Sequence, residues 1–213
     1  MKNKQFTVDD QAILEEIMLY RRDVRGNKFL STPVPQEAIQ KILMAASLAP
    51  SVGFSQPWEF LVIRNEETKN KVVESFETEN QKANVLFEGK KKSLYSQLKL
   101  EGIREAPVNI AVYYTSSKKP VLGQTSMKEA GEYSVVCAIQ NMWLMARAMN
   151  IGLGWVSIID PEVVKGILKS SPDSKLIAYL CIGYVDEFLE SPELEMLEWE
   201  KRKELQSVVH YDD

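Results

Sequence analysis

Arg21-Arg22-Asp23-Val24-Arg25 places three arginines and one aspartate within five residues, the densest cluster of chemically capable side chains in this sequence. Like charges at that spacing repel unless an anion lies among them, and the planar guanidinium fork pairs bidentately with phosphate. Two readings stand: a phosphate-binding turn, or an exposed helix end whose basic residues complement the helix dipole. A second polar cluster, Ser51-Val52-Gly53-Phe54-Ser55-Gln56, is held between Pro50 and Pro57. Its hydroxyls, amide and glycine could hydrogen-bond a planar heteroaromatic ring, or serve only as a connection.

Several other chemistries are set aside by count and order. The one histidine, His210, lies close to the C-terminus, so a Ser-His-Asp triad, a Cys-His dyad or a histidine metal site would have to run through the tail. Two cysteines, Cys137 and Cys181, are too few for a disulfide scaffold or a multi-thiolate metal site. Gly152-Leu153-Gly154 begins like a dinucleotide fingerprint, but it follows a helix, precedes a strand and lacks the third glycine. Gly166-Ile167-Leu168-Lys169-Ser170 lacks the remaining glycines of a phosphate loop. Chemistry therefore falls to carboxylates, hydroxyls or a bound cofactor.

The elements that must position these groups follow from apolar spacing. Residues 9–20 read as a helix capped at Asp9 or Asp10, with Ile13, Leu14, Ile17 and Met18 on one face. Pro35 suits the first turn of a second helix carrying Ile39, Ile42, Leu43 and Ala46. Strands are expected at 58–63, 107–115, 154–159 and 176–184, and a short helix at about 161–169. From Glu66 to about Lys99 the pattern is helical but polar, which predicts an exposed excursion rather than core. Residues 132–150 are apolar nearly all round, as in a helix buried in a domain or a subunit interface. The tail from Pro192 to Val209 reads as a charged helix.

Length and composition fit this picture. At roughly 150 residues per domain, 213 residues without a linker or repeat make one α+β domain over 1–213. With 26 Lys+Arg against 30 Asp+Glu the net charge is −4, which argues against nucleic acid as a partner. The polar Met1–Gln5 start and the absence of a long apolar run point away from export and the membrane, toward the cytoplasm.

Taken together, Arg21–Arg25 followed by Ala49-Pro50-Ser51-Val52-Gly53-Phe54-Ser55-Gln56-Pro57-Trp58 resembles the nitroreductase-like flavoprotein family, and within it the dimethylbenzimidazole synthase (BluB) branch. Leu98-Lys99-Leu100-Glu101-Gly102-Ile103-Arg104, Tyr133–Ala138, Gln140–Trp143, Gly154–Ile158 and Tyr179–Gly183 extend the resemblance from about residue 12 to residue 205. Departures occur at Gln124–Lys128 and at Glu200 and Glu204 in the tail.

The resemblance implies a nitroreductase-like α+β fold, with a central, mostly antiparallel sheet flanked by helices. It implies an FMN-binding homodimer with sites at the subunit interface and C-terminal arms (about 192–213) swapped between protomers. The implied reaction takes reduced FMN, supplied by a separate flavin reductase, and molecular oxygen to dimethylbenzimidazole, the lower ligand of cobalamin, and erythrose 4-phosphate. Arg21, Arg22 and Arg25 would hold the phosphate and ribityl chain, Ser51, Val52, Gly53 and Gln56 would lie against the ring, and Val24 and Trp155 would also bind the cofactor. Asp23 matches the branch's acid, and Ser157, beside Trp155, its second functional residue, steering oxygen at the flavin edge. If the arginines lie close, the Asp23 pKa is expected to fall. Residues 80–104 would form a lid, with Leu98 and Leu100 against the ring. The competing readings are an NAD(P)H-dependent nitroreductase or flavin reductase that recycles FMN, and a non-catalytic flavin store.

Overall fold

The two central strands, β2 (Val108–Thr115) and β4 (Ser174–Gly183), are apolar on both faces, so each face needs its own cover of helices. The structure, a computed structural model, describes residues 3–212; Met1 and Lys2 of the polar N-terminus, and Asp213 of the expected arm, lie outside the described residues. β1 (Trp58–Ile63) and β3 (Gly152–Val156) flank the central pair, and the order β1-β2-β4-β3 is antiparallel throughout. Register follows the two-residue period: Ile110, Val112, Leu180 and Ile182 face one side, and Ala111, Tyr113, Tyr179 and Cys181 the other.

α2 (Gln36–Ser47) and α5 (Ala130–Ala148) cover the first face, burying Ile39, Ile42, Ile139 and Met142. α3 (Glu66–Asn84) and α6 (Pro161–Ile167) cover the second, burying Val72, Val73, Phe76 and Val164. This corrects the expected polar excursion: the first half of 66–99 is core. Its polar look misleads because only a narrow stripe of α3 faces the sheet, and because Lys69, 1% exposed, is part of that stripe. The Lys69 ammonium donates to the Arg104 and Ala106 carbonyls at 3.2 and 3.0 Å and to Glu66 at 2.8 Å, which satisfies the buried charge and ties α3 to the chain entering β2.

α1 (Val8–Tyr20) is capped by Thr7, whose hydroxyl accepts from the Asp10 N–H while Asp10 returns the bond, so the cap precedes the expected aspartates. None of its residues is buried. Nor is α5 covered all round, since Tyr133, Val136 and Cys137 are exposed. The expected tail helix shrinks to α7 (Glu193–Met196), and α4 (Gly89–Tyr95) lies between α3 and β2. Charges scattered between Leu194, Leu197, Leu205 and Val208 leave the tail no continuous apolar stripe to bury. The stretch up to Trp199 packs on its own chain, against Phe87. No helix among the described residues is long and apolar enough to cross a membrane.

The outer edge of β3 is met by the arginine turn: Asp23 bridges to Leu153 in parallel, and the Val24 N–H donates to the Leu153 carbonyl at 3.1 Å. Gly154 permits this approach, because a Cβ there would overlap the Val24 carbonyl. Gly154→Ala should therefore cost about 1–3 kcal/mol in urea unfolding, the range for an overpacked site. Gly166→Ala, where an added Cβ meets nothing within 4 Å, should be neutral or slightly stabilising. Equal effects of the two substitutions would contradict the close-approach account.

Candidate active site

The turn that follows α1 leaves the helix at Arg21 in an extended conformation. The three arginines of the turn then find different partners. Arg22, 9% exposed, points inward and donates to the carbonyls of Leu19 and Arg21 at 2.8 Å, Leu189 at 2.8 Å, and Glu190. Its guanidinium is a clamp between the turn and the chain leaving β4, which corrects the expectation that all three arginines face a phosphate. Its own carbonyl accepts from the Trp143 indole N–H at 3.1 Å.

The Arg21 guanidinium lies over the Trp143 ring, 4.7 Å from its centroid, and makes no hydrogen bond or ion pair among the described residues. Arg25 pairs with the Asp23 carboxylate and donates to the Trp155 carbonyl at 3.2 Å. The other Asp23 oxygen, Oδ1, accepts the Trp155 N–H at 2.9 Å. Both carboxylate oxygens are thus oriented by the edge strand β3 and its neighbour. Burial raises the Asp23 pKa above the ordinary carboxylate value, outweighing Arg25, the Trp155 N–H and Arg21, which lower it; Glu193 adds a smaller upward push. The expected downward shift is corrected, because the same packing that brings the arginines close also removes water. Beneath this site, burial pushes the Cys181 thiol well up, which leaves it neutral and unreactive.

These side chains border a cavity of about 150 Å³. Arg21, Arg22, Asp23 and Arg25 form one wall; Leu98, Lys99 and Leu100 form the second; Leu189, Pro192, Glu193 and Leu194 form the third. Lys99 and the tail residues were not singled out from the sequence. Lys99 stood inside the Leu98–Arg104 resemblance, whereas nothing in the tail's pattern marks Glu193 or Leu194. The donor set fits an anionic phosphate group: Arg21 keeps its guanidinium unpaired at the cavity wall beside Arg25, whereas the Lys99 ammonium is held by Glu101 and, at 2.8 Å, by Glu105. The volume is below the roughly 300–1,000 Å³ usual for a drug-sized ligand, so one chain encloses only part of a flavin-sized molecule.

The Ser51–Gln56 loop is not on this cavity. It borders a separate groove with Trp58, Tyr114 and Gln124. The loop is tightly built: Ser51 Oγ accepts the Gln56 N–H at 3.0 Å, and the Val52 N–H donates to Ser134 Oγ at 3.0 Å. Gly53, Phe54 and Gln56 hold φ values of 54°, 53° and 47°, left-handed geometry that costs energy at the two non-glycine positions. Ser55 Oγ is buried without a partner among the described residues. Ser157 is exposed one residue beyond β3, and Val24 and Trp155 stand behind the cavity wall rather than on it. The structure therefore assembles Arg21, Arg22, Asp23, Arg25 and Leu98 around the cavity, and leaves Ser51, Val52, Gly53, Gln56 and Ser157 off its lining.

Residues 18–184 match the Nitroreductase family. A Rhodospirillum rubrum protein named 5,6-dimethylbenzimidazole synthase is 40% identical over 192 residues, covering 89% of this chain and 90% of that protein. Among solved structures, an oxidized iodotyrosine deiodinase bound to FMN and 3-iodo-L-tyrosine superposes with a TM-score of 0.73 at 20% identity, over 94% of this chain and 99% of the other. A BluB-like flavoprotein from Clostridium difficile gives 0.71 at 21% identity, over 94% and 99%. The fold is nitroreductase-like, and this chain belongs to the nitroreductase family.

Proposed function

We propose that this chain is an oxygen-dependent 5,6-dimethylbenzimidazole synthase acting on reduced FMN, with erythrose 4-phosphate as the second product. The observation that carries the reading is Asp23, a carboxyl group oriented by the Trp155 N–H and Arg25 inside an arginine-lined cavity. A pure phosphate site gains nothing from a carboxylate there; a reaction that moves protons does. The name and near-full-length match of the Rhodospirillum rubrum relative supports the same reaction.

Reduced FMN would supply the electrons that activate oxygen and the carbon atoms of the products. Arg21 and Arg25 would hold its phosphate. Asp23, its pKa raised by burial, exchanges a proton nearer neutrality than a free carboxylate, which suits a group that must both give and take one. Leu98 and Leu100 would keep water from the reacting edge. Ser157, exposed one residue beyond β3, would contact the part of the ligand that lies outside the cavity.

The rest of the flavin site would come from a second copy of the chain. The apolar residues Ile13, Leu14, Met18 and Leu19 on α1, Met44 on α2 and Leu48 just after it, and Tyr133 and Val136 on α5 are exposed, more than a monomer usually shows water. Pairing through these faces would let the partner's polar loop, residues 51–56, complete the ring-binding wall. Reduced flavin would be delivered by a separate flavin reductase.

The deciding assay supplies reduced FMN and oxygen without nicotinamide; dimethylbenzimidazole should form. If only oxidised FMN and peroxide appear, the synthase reading is lost, and turnover that needs NAD(P)H would mark a conventional nitroreductase. Asp23→Asn should lower product formation by about 100-fold or more while flavin still binds. In flavin-free protein the raised Asp23 pKa means that the folded state holds this proton more tightly than the unfolded chain. That contribution is full below the ordinary value of 3.8 and is lost as pH rises through the folded value. Asp23→Asn should accordingly gain urea stability relative to the parent from about pH 4 upward, and a constant difference would contradict the raised pKa. Arg21→Ala should weaken FMN binding by about tenfold with little change in stability. Arg22→Ala should instead cost about 2–4 kcal/mol of stability, because it strands buried carbonyls.

A further inference from the structure

Residues Leu189 to Trp199 contact both the arginine turn and the segment that closes the cavity. At one end, the Leu189 and Glu190 carbonyls accept from Arg22. In the middle, Pro192, Glu193 and Leu194 form a cavity wall together with Leu98–Leu100. A tight turn, closed by the Trp199 N–H on the Leu194 carbonyl at 2.8 Å, then carries the Trp199 indole to α4. There it meets Phe87 edge-on, with centroids 5.1 Å apart, and lies 6.3 Å from the Tyr95 ring. Phe87 stacks on Tyr95 at 4.9 Å, and the Lys91 ammonium sits 5.2 Å from the Trp199 centroid. Tyr95 is buried and donates to Asn80 Oδ1 at 2.7 Å, fixing the cluster to the end of α3. None of these three rings lines the cavity.

We propose that residues 189–199 are a strap and that Trp199 is a positioning residue, holding residues 87–100 closed over the Asp23 cavity from outside it. The strap is anchored at both ends, by Arg22 at the site and by Trp199 at the lid, so lid closure and the arginine turn are mechanically joined. Without the indole, the lid loses its tie to the strap and keeps the Phe87–Tyr95 stack, the Tyr95–Asn80 hydrogen bond and the Lys99 ion pairs with Glu101 and Glu105, and its 87–95 end opens more often. The catalytic consequence rests on the synthase reading: in an opened, wet cavity, reduced FMN and oxygen yield oxidised FMN and hydrogen peroxide, two electrons and two protons passing to oxygen, and the ring is not cleaved.

Trp199→Ala, Trp199→Phe and Phe87→Ala test this in the full-length protein with two readouts. The first is tryptic cleavage at the exposed Lys90-Lys91-Lys92 run, with the exposed Lys118-Lys119 pair as internal reference. The second is dimethylbenzimidazole formed per reduced FMN consumed. Trp199→Ala should speed cleavage at Lys90–Lys92 on the order of tenfold relative to the reference, as expected for losing an aromatic contact that gates local opening. It should also divert flavin to peroxide, while Trp199→Phe restores both readouts. Phe87→Ala should act alike from the lid side, and the double variant should add little, since both break one contact. Unchanged cleavage in both alanine variants overturns the strap. Faster cleavage with an unchanged product yield overturns the positioning role. If the parent forms no dimethylbenzimidazole and Trp199→Ala still opens the lid, the strap stands and the synthase reading falls.

Discussion

The approach of the arginine turn to the edge of β3 is the constraint on which the rest of the site depends. A parallel bridge between Asp23 and Leu153 brings the Val24 carbonyl so near Gly154 that no side chain fits between them. The approach consumes the edge strand's hydrogen-bonding groups in the protein's own interest: the Leu153 carbonyl takes the Val24 N–H, and the Trp155 N–H takes Asp23. A carboxylate on a flexible turn would have many orientations. This one has its two oxygens assigned, one to a backbone N–H and one to Arg25.

The same constraint explains why three neighbouring arginines behave differently. Arg22 borders the cavity beside Arg21 and Asp23, but its guanidinium is taken up by protein acceptors. A guanidinium taken from water must find acceptors, and it finds the carbonyls of Leu19, Arg21, Leu189 and Glu190. The cost of burying the charge thereby becomes the link that holds the C-terminal chain beside the site. Arg21, stacked on Trp143, keeps its donors for the cavity, and Arg25 is shared between Asp23 and β3. Burial also decides the sign of the Asp23 shift, since loss of water at the carboxyl outweighs its cationic neighbours.

The cavity is assembled from three stretches far apart in the chain, and each reaches it for a different physical reason. The turn arrives by pairing with β3. Leu98–Leu100 arrive because Glu101 and Ile103 are fixed under the sheet, where Glu101 accepts the Ile103 N–H at 2.6 Å and the Glu101 carbonyl takes the Gly26 N–H at 2.8 Å. The tail arrives through Arg22. The proposed pairing of two chains completes this arrangement with the 51–56 loop, whose left-handed residues keep a polar rim in place at an energetic cost that is hard to account for in a mere connection.

The sequence by itself determined most of the elements and the place of the arginine cluster. β1 lies at its expected residues, and β2, β4, α2 and α5 lie within two residues of theirs, because apolar periodicity and proline placement act locally. The importance of Arg21–Arg25 was likewise readable, since charge crowding is a property of near neighbours. Tertiary structure alone decided the rest. Lys69 and Phe76 entered the core because the 104–106 backbone offered acceptors and the sheet offered a surface, neither of which leaves a mark in the 66–84 stretch. Arg22 became a clamp because carbonyls nearly 170 positions away came within reach, |i−j| being 167 and 168. Which arginine faces the cavity, which way the Asp23 pKa moves, and what Leu194 or Trp199 touches all depend on desolvation and contacts between distant segments. Those quantities do not exist until the chain has folded.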